Sequence, residues 1–303
     1  VALQQLFPDS SPGGGPSDGT TYPYTILDVF ATTPLEGNPL GVFPDGRGLS
    51  AEEMQRIAKE LNLSETVFLF PAESDGDARL RIFTPWTELP FAGHPVLGAA
   101  FVVALSLGTG AVSLETGLGT IPIEMTREGL RLTFGRMLQP IPTFETYERS
   151  EELLAALGIE HSELPIEAYR NGPRHVFVML GSEEEVAALR PDLLALASHD
   201  LSANCFAKAG DHWKTRMFAP SLGVNEDPAT GSAAGPLAVH LARHGRIAFG
   251  EEIEIHQGAE ISRPSVLYAR AVGNAEMIER VEVGGAAVVV AQGSYLIRSA
   301  RGR

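Results

Sequence analysis

Between Tyr24 and Phe30 apolar and polar side chains alternate and β-formers dominate, which predicts a strand. Ser50-Ala-Glu-Glu53 has the form of a capping box, so a helix is expected from there to about Leu61. The chain then bends through Asn62-Leu-Ser-Glu-Thr into the apolar Val67-Phe68, and Arg79–Thr84 predicts a further strand. From Leu89 to Leu114 there is no Asp, Glu, Lys or Arg, a run long enough to raise a membrane span. Pro90, His94, Pro95 and several glycines interrupt it. Its helical part, Pro95–Leu107, is apolar on every face, the pattern of a helix enclosed within a domain. Short strands are expected over about 111–135, and residues 136–149, with two prolines, read as a crossover between halves. Beyond it, helices are expected near 150–157 and 183–188, with strands at about 174–180, 203–208 and 213–218. A helix runs from Gly231 to a stop at Gly245, and strands follow near 251–256, 265–272, 279–283 and 286–291.

The two halves can be laid over one another. Arg81-Ile-Phe83-Thr-Pro85 precedes Glu88-Leu-Pro90-Phe-Ala-Gly93-His94, and Arg216-Met-Phe218-Ala-Pro220 precedes Glu226-Asp-Pro228-Ala-Thr-Gly231-Ser232. Asn62–Phe68 and Asn171–Phe177 give a third match upstream. The order argues for a domain plan used twice. In each copy a Gly turn opens an apolar helix, whose first N–H groups have no partner inside the helix and favour an anion. Two such starts across a cleft would grip a small carboxylate.

Composition narrows the class. Hydrophobic residues make up 44% and charged residues 20%, which excludes a disordered chain. One cysteine excludes a disulfide framework and any two-thiol site. With 38 acidic against 23 basic residues the net charge is −15, and no basic cluster stands out. Nucleic acid and anionic membrane surfaces are therefore not expected partners. Residues 1–20 hold no basic residue and no apolar run, so they read as a flexible tail rather than a secretory signal, and the cytoplasm is the expected compartment.

Glu65, beside Ser64 at the entry to an apolar strand, is a candidate proton carrier if partial burial raises its pKa; a solvated edge position is the alternative. His94 at a helix start is expected neutral, with simple capping as its alternative. Asp227 and Ser232 flank the second turn, where a turn acid and an N-cap are the plainer readings. His240 and His244 are four apart, but no Glu lies between them and no metal site is expected there; the other histidines, His175 among them, look scattered. Cys205 reads as a buried small side chain.

GNPLGVF (37–43), NLSETVF (62–68), RIFTPWTELPFAGHP (81–95) and EDPATGSAAGPLAVHLARH (226–244) together resemble the PhzF family of phenazine biosynthesis. AYRNGPRHVFV (168–178), NCFAKAGDHWKTRMFAP (204–220) and IEIHQGAEISRPS (253–265) extend the resemblance over about residues 22–295. It implies an α+β, diaminopimelate epimerase-like fold: two similar domains, each a curved, mostly antiparallel sheet around a central helix, with the site between them. On that plan residues 1–20 are a tail, 21–140 and 141–284 the two domains, and 285–303 a strand returning to the first. The resemblance also implies a homodimer and a cofactor-independent isomerase that acts on trans-2,3-dihydro-3-hydroxyanthranilate, a small aromatic-acid-like substrate. It makes Glu65 the catalytic acid/base, His94 and Asp227 its supporting pair, and Ser64, Gly93, Gly231 and Ser232 substrate-binding residues. Trp86-Thr87 and Pro228 depart from the pattern, the first pair beside the site. An isomerase of another conjugated acid and a non-catalytic binder of small acids are the rival functions.

Overall fold

The computed structural model describes residues 19–129 and 131–297. The first half runs β1 (Thr20–Val29), β2 (Asn38–Phe43), α1 (Ala51–Leu61), β3 (Glu65–Phe70), β4 (Ala78–Phe83), β5 (Glu88–Leu89), α2 (Gly93–Leu107), β6 (Ala111–Thr116), β7 (Gly119–Glu128) and β8 (Arg131–Gln139). The second runs β9 (Thr143–Thr146), α3 (Ser150–Leu157), β10 (Glu167–Arg170), β11 (Arg174–Met179), α4 (Glu183–Ala188), α5 (Leu193–Leu196), β12 (Ser202–Ala209), β13 (His212–Ala219), β14 (Val224–Asp227), α6 (Gly231–Arg243), β15 (Glu252–Gln257), β16 (Ser265–Gly273) and β17 (Ile278–Gly285). A last strand, β18 (Ala287–Ile297), pairs antiparallel with β1. The expected tail falls largely on residues outside the described ones, and Thr20 already belongs to β1.

The capping box forms as read: the Ser50 hydroxyl accepts from the Glu53 amide while the Glu53 carboxylate accepts from the Ser50 amide. The crossover is shorter than expected. β8 continues to Gln139 and β9 takes up 143–146, so only the Pro-containing 140–142 and the short 147–149 are free of strand. β2, β9, β10 and α5 have too few residues, or too mixed a pattern, to announce themselves.

Strand pairing repeats in the two halves. β2 lies parallel to β3, β3 antiparallel to β4, β4 parallel to β6, and β6–β7–β8 form an antiparallel meander. The same series of pairings runs through β11, β12, β13, β15, β16 and β17. This corrects one of the three sequence matches. Asn171–Phe177 leads into β11, the counterpart of β2 and its Gly37–Phe43 segment, not of β3; the counterpart of β3 is β12. Phe83 pairs with Thr66 in one half and Phe218 with Ala203 in the other, so the position equivalent to Glu65 is Ser202. The other two matches hold as geometry. Arg81 grips Glu88 with two hydrogen bonds, and Arg216 grips Glu226 in the same way. Each Arg also lies over the Phe two residues on, Phe83 or Phe218. The fork-shaped pair ties each strand end to the turn that precedes the Gly-started helix.

Each of those helices is the centre of its half. α2 is buried along nearly its whole length, packed among β1, β2, β3, β6, β7 and β8, and α6 among β11, β15, β16 and β17. Their uniform apolarity follows from being enclosed rather than lying on a surface. Among the described residues no helix is long and apolar enough to cross a membrane. The sheets join where β8 pairs with β17. Cys205 is buried, and burial pushes its thiol up to about 12, so it packs as a small apolar residue.

One buried carboxylate away from the cleft organises a turn. Glu115 accepts hydrogen bonds from the amides of Glu73, Ser74 and Gly76 and from the Ser74 hydroxyl. Burial alone would raise its pKa, but these bonds outweigh it and hold the group at about 2. Because the folded value is depressed, this stability is present at neutral pH and is lost as pH falls through the ordinary carboxyl range toward 2. Glu115→Gln is expected to destabilise the fold by about 1–3 kcal/mol at pH 7, with the gap from wild type closing in denaturant melts as the pH is lowered.

Candidate active site

The starts of α2 and α6 meet head to head between the halves. A Cβ on Gly93 would stand 2.4 Å from the Ser232 amide nitrogen and 2.5 Å from the Gly231 carbonyl carbon. A Cβ on Gly231 would stand 3.0 Å from the His94 amide nitrogen and 2.9 Å from the Phe30 ring. The glycines are therefore required by close approach of two backbones, in addition to opening turns. Neither helix start has a side-chain cap, at Ala92 or at Thr230. The free N–H groups and the positive ends of both helices converge on one place.

A cavity of about 530 Å³ opens beside this junction, and Ser64, Glu65, Gly93, His94, Asp227, Gly231 and Ser232 all line it. The structure thus brings together every residue singled out from sequence. Glu65 opens β3, and its Oε2 is buried without a hydrogen-bond partner, 3.4 Å from His94 Nδ1. Burial, then the nearby Asp227, raise the Glu65 carboxyl well above the ordinary range. Burial lowers His94 to about 3, so its imidazole is neutral. Burial raises Asp227 to about 6, against hydrogen bonds from Thr230, Asn38 and Ser64 that favour its charged form. Those bonds are 2.6 Å from the Thr230 hydroxyl, 2.9 Å from the Asn38 amide and 3.4 Å from the Ser64 hydroxyl. Gln257 steadies the loop behind, donating to the Asp227 carbonyl and the Thr230 hydroxyl.

Several residues of the site were not legible. Ser232 is the second residue of α6, not its cap, and its hydroxyl lies 3.1 Å from His175 Nε2. His175, set aside as one of the scattered histidines, is buried and belongs to the wall. Its position at the start of β11 was hidden by the mismatched alignment with β3. Asn38, Asn171 and Gln139 hold the same junction: Gln139 donates to the Gly231 carbonyl and Asn171 to the Ser232 carbonyl. No motif distinguishes a buried amide from a surface one. The absence of a basic cluster in the sequence also misled, because Arg170 and Arg174 both line the cavity. Trp86, the departure noted beside the site, lines it from the first half and lies against Gly223 of the second.

Topology makes the site chemically one-sided. One half places Ser202 where the other has Glu65, and both residues line the cavity. The cleft has one carboxylate poised as a base, with no matching base on the opposite side at that position. Neither helix start carries a thiol, since Cys205 lies in β12. Glu167, His240 and His244 form a group that could hold a metal ion, outside the cleft. Arg243 already donates to the same Glu167 oxygen, 2.7 Å away, so the cluster is built as a partly buried ion pair.

The comparisons with known proteins agree with this arrangement. The family model described as phenazine biosynthesis-like protein, PhzC-PhzF, matches residues 27–293. A trans-2,3-dihydro-3-hydroxyanthranilate isomerase of Pseudomonas aeruginosa is 54% identical over 275 residues, covering 90% of this chain and 99% of that protein. The crystal structure of a PhzF-family phenazine biosynthesis protein of Bacillus anthracis superposes with a TM-score of 0.80 at 27% identity, covering 92% of this chain and 100% of that one. A hydroxyproline epimerase of Agrobacterium vitis, at 12% identity and a TM-score of 0.64 over 94% of both chains, shares the fold alone. The fold is therefore α+β and epimerase-like, as expected. By the extent of the family match and the closeness of these relatives, this chain belongs to the PhzC-PhzF family.

Proposed function

We propose that this chain is an isomerase of trans-2,3-dihydro-3-hydroxyanthranilate in phenazine biosynthesis, and that Glu65 carries the proton. The observation that supports it most is the Glu65 oxygen, buried and without a partner in the wall of the cavity. A carboxylate in that state is a stronger base than one in water, and its acid is a ready donor. As carboxylate, Glu65 takes the proton from C3 of the substrate; the diene moves its double bonds along the ring, and the acid returns the proton to C1. The product is an enol that tautomerises to the aminoketone, with no net gain or loss of atoms. The convergent N–H groups of α2 and α6 hold the substrate carboxylate, and His94, Asp227, Ser64 and Ser232 hold its other polar groups. The proposal includes a homodimer in the cytoplasm and no need for a cofactor.

The direct test is product formation from that substrate, with chelator present and no nicotinamide added. A panel of other conjugated acids separates the rival isomerase, with Trp86 as the wall residue to vary, and binding without turnover would favour the non-catalytic reading. Because the base must be ionised, kcat/KM is expected to fall as pH drops through the raised Glu65 range, above the ordinary carboxylate range. Asp227→Asn removes a neighbouring negative charge and is expected to move that limb to lower pH, whatever it does to the plateau. A limb at the pKa of a free carboxyl group would contradict the assignment.

A further inference from the structure

Trp86 and Gly223 belong to the two copies of one turn. Each lies between the Arg and the Glu of a gripped pair, Arg81 with Glu88 and Arg216 with Glu226, and residues of both turns line the cavity. Where the turns meet, an indole edge lies on backbone. A Cβ on Gly223, at φ +83°, would stand 2.4 Å from Trp86 Nε1 and 2.7 Å from its Cδ1.

The indole is held in place. The Thr84 hydroxyl oxygen accepts from the amides of Trp86 and Thr87, and Gln55 of α1 donates to the Thr84 carbonyl, so the turn is tied to itself and to the helix behind it. Lys59, also of α1, carries its ammonium 5.0 Å from the ring centroid. Turn, cation and Gly223 fix the ring, yet Trp86 remains 63% exposed while it lines the cavity. A large apolar ring set rigidly at the cavity and left bare gains most from a ligand that covers it. Among the described residues that line the cavity, the only other Phe, Tyr or Trp is Phe91, which is fully buried.

We propose that Trp86 is a specificity-determining residue, the platform on which the flat, conjugated ring of an acid lies while its carboxylate is held by the starts of α2 and α6. A planar ring lies full-face on an indole, whereas a puckered, saturated ring of the same size and charge touches it at a few atoms only. The ligand class that follows is small carboxylic acids with a planar conjugated ring. The inference rests on the proposed function for which acid of that class is turned over, but not for the platform itself, which binds without reaction.

The test uses benzoate and cyclohexanecarboxylate, two acids alike in charge and size that differ in flatness. In 15N-labelled protein the two indole N–H signals belong to Trp86 and to Trp213, buried in β13, and Trp86→Phe assigns them by the loss of one. Saturating benzoate is expected to move the Trp86 signal and to leave that of Trp213. Dissociation constants, read from the backbone amides of the cavity, should favour benzoate over cyclohexanecarboxylate. Trp86→Leu keeps an apolar side chain without the flat face, and should shrink that preference by about 2–10-fold. A role in structure alone would weaken both acids together. Benzoate that does not bind, or that leaves the Trp86 signal in place, overturns the proposal, as does an unchanged preference in Trp86→Leu. The expected shift and preference without turnover of trans-2,3-dihydro-3-hydroxyanthranilate would defeat the proposed function and leave the platform standing, so the two failures are distinguishable.

Discussion

Glu65→Gln is expected to lose about 10²–10⁴-fold in kcat, the usual worth of a positioned general acid–base group. The side chain keeps its shape, and Glu65 makes no hydrogen bond through Oε2 that the fold depends on. Thermal stability should therefore hold or rise, since a buried group that is costly to ionise has been replaced by a neutral one. Substrate binding should change little, because the two helix starts and not Glu65 hold the carboxylate. The measurement is steady-state turnover of trans-2,3-dihydro-3-hydroxyanthranilate beside a melting curve. The one-sided site makes this prediction sharp: Ser202 occupies the equivalent position in the other half, and its hydroxyl offers no substitute base.

Gly93→Ala is expected to be the most damaging single methyl addition at the junction. Its Cβ would fall 2.4 Å from the Ser232 amide nitrogen and 2.5 Å from the Gly231 carbonyl carbon. Both are backbone atoms at the start of a buried helix, so the neighbour cannot swing aside as a side chain would. The helix starts must separate, which should cost at least about 1–3 kcal/mol as overpacking does. The movement also displaces the N–H groups that grip substrate, and a shift of about 1 Å is enough to cost on the order of 10²-fold in rate. Gly231→Ala should be milder, since its nearest contacts are the edge of the Phe30 ring at 2.9 Å and the His94 nitrogen at 3.0 Å. Urea melts and kcat for the two variants give the order; a harmless Gly93→Ala would mean that the halves are not held this closely in solution.

Much of this arrangement could be read from the chain because its signals are local. A capping box, a Gly turn before an apolar run, and an Arg and a Glu at matching places in two strand-turn segments each announce themselves within a few residues. Ser64, Glu65, Gly93, His94, Asp227, Gly231 and Ser232 all lie in such segments, and all reach the cavity. What stayed hidden depends on strands far apart in sequence. Asn38 contacts Asp227 across 189 positions, and His175 contacts Ser232 across 57. Their partners are set by the order of strands. The match of 171–177 to 62–68 rested on Asn and Val-Phe at a common spacing, which a β2-like strand satisfies as well as a β3-like one; only the pairing of β11 with β12 separates them. Arg170 and Arg174 were missed for a related reason: two arginines four apart in sequence face the cleft from neighbouring strands, with the turn between them.

The charge balance takes on a different meaning in the folded chain. A net charge of −15 would repel an anionic substrate at long range. Inside the cleft the helix starts, with Arg170 and Arg174 in the wall, oppose that repulsion locally. Of the three acidic groups that line it, Asp200 is exposed, and Glu65 and Asp227 are the two whose burial resists ionisation, which reduces their repulsion of a carboxylate.

The central claim is that one buried carboxylate lifts a proton from one ring carbon and sets it down on another. Substrate deuterated at C3, followed through a single turnover in ordinary water, tests it most directly. The account predicts that a substantial share of the deuterium appears at C1 of the product, and that Glu65→Gln abolishes the transfer along with turnover. Product with no deuterium at C1, formed at an undiminished rate by the Glu65→Gln variant, would contradict it.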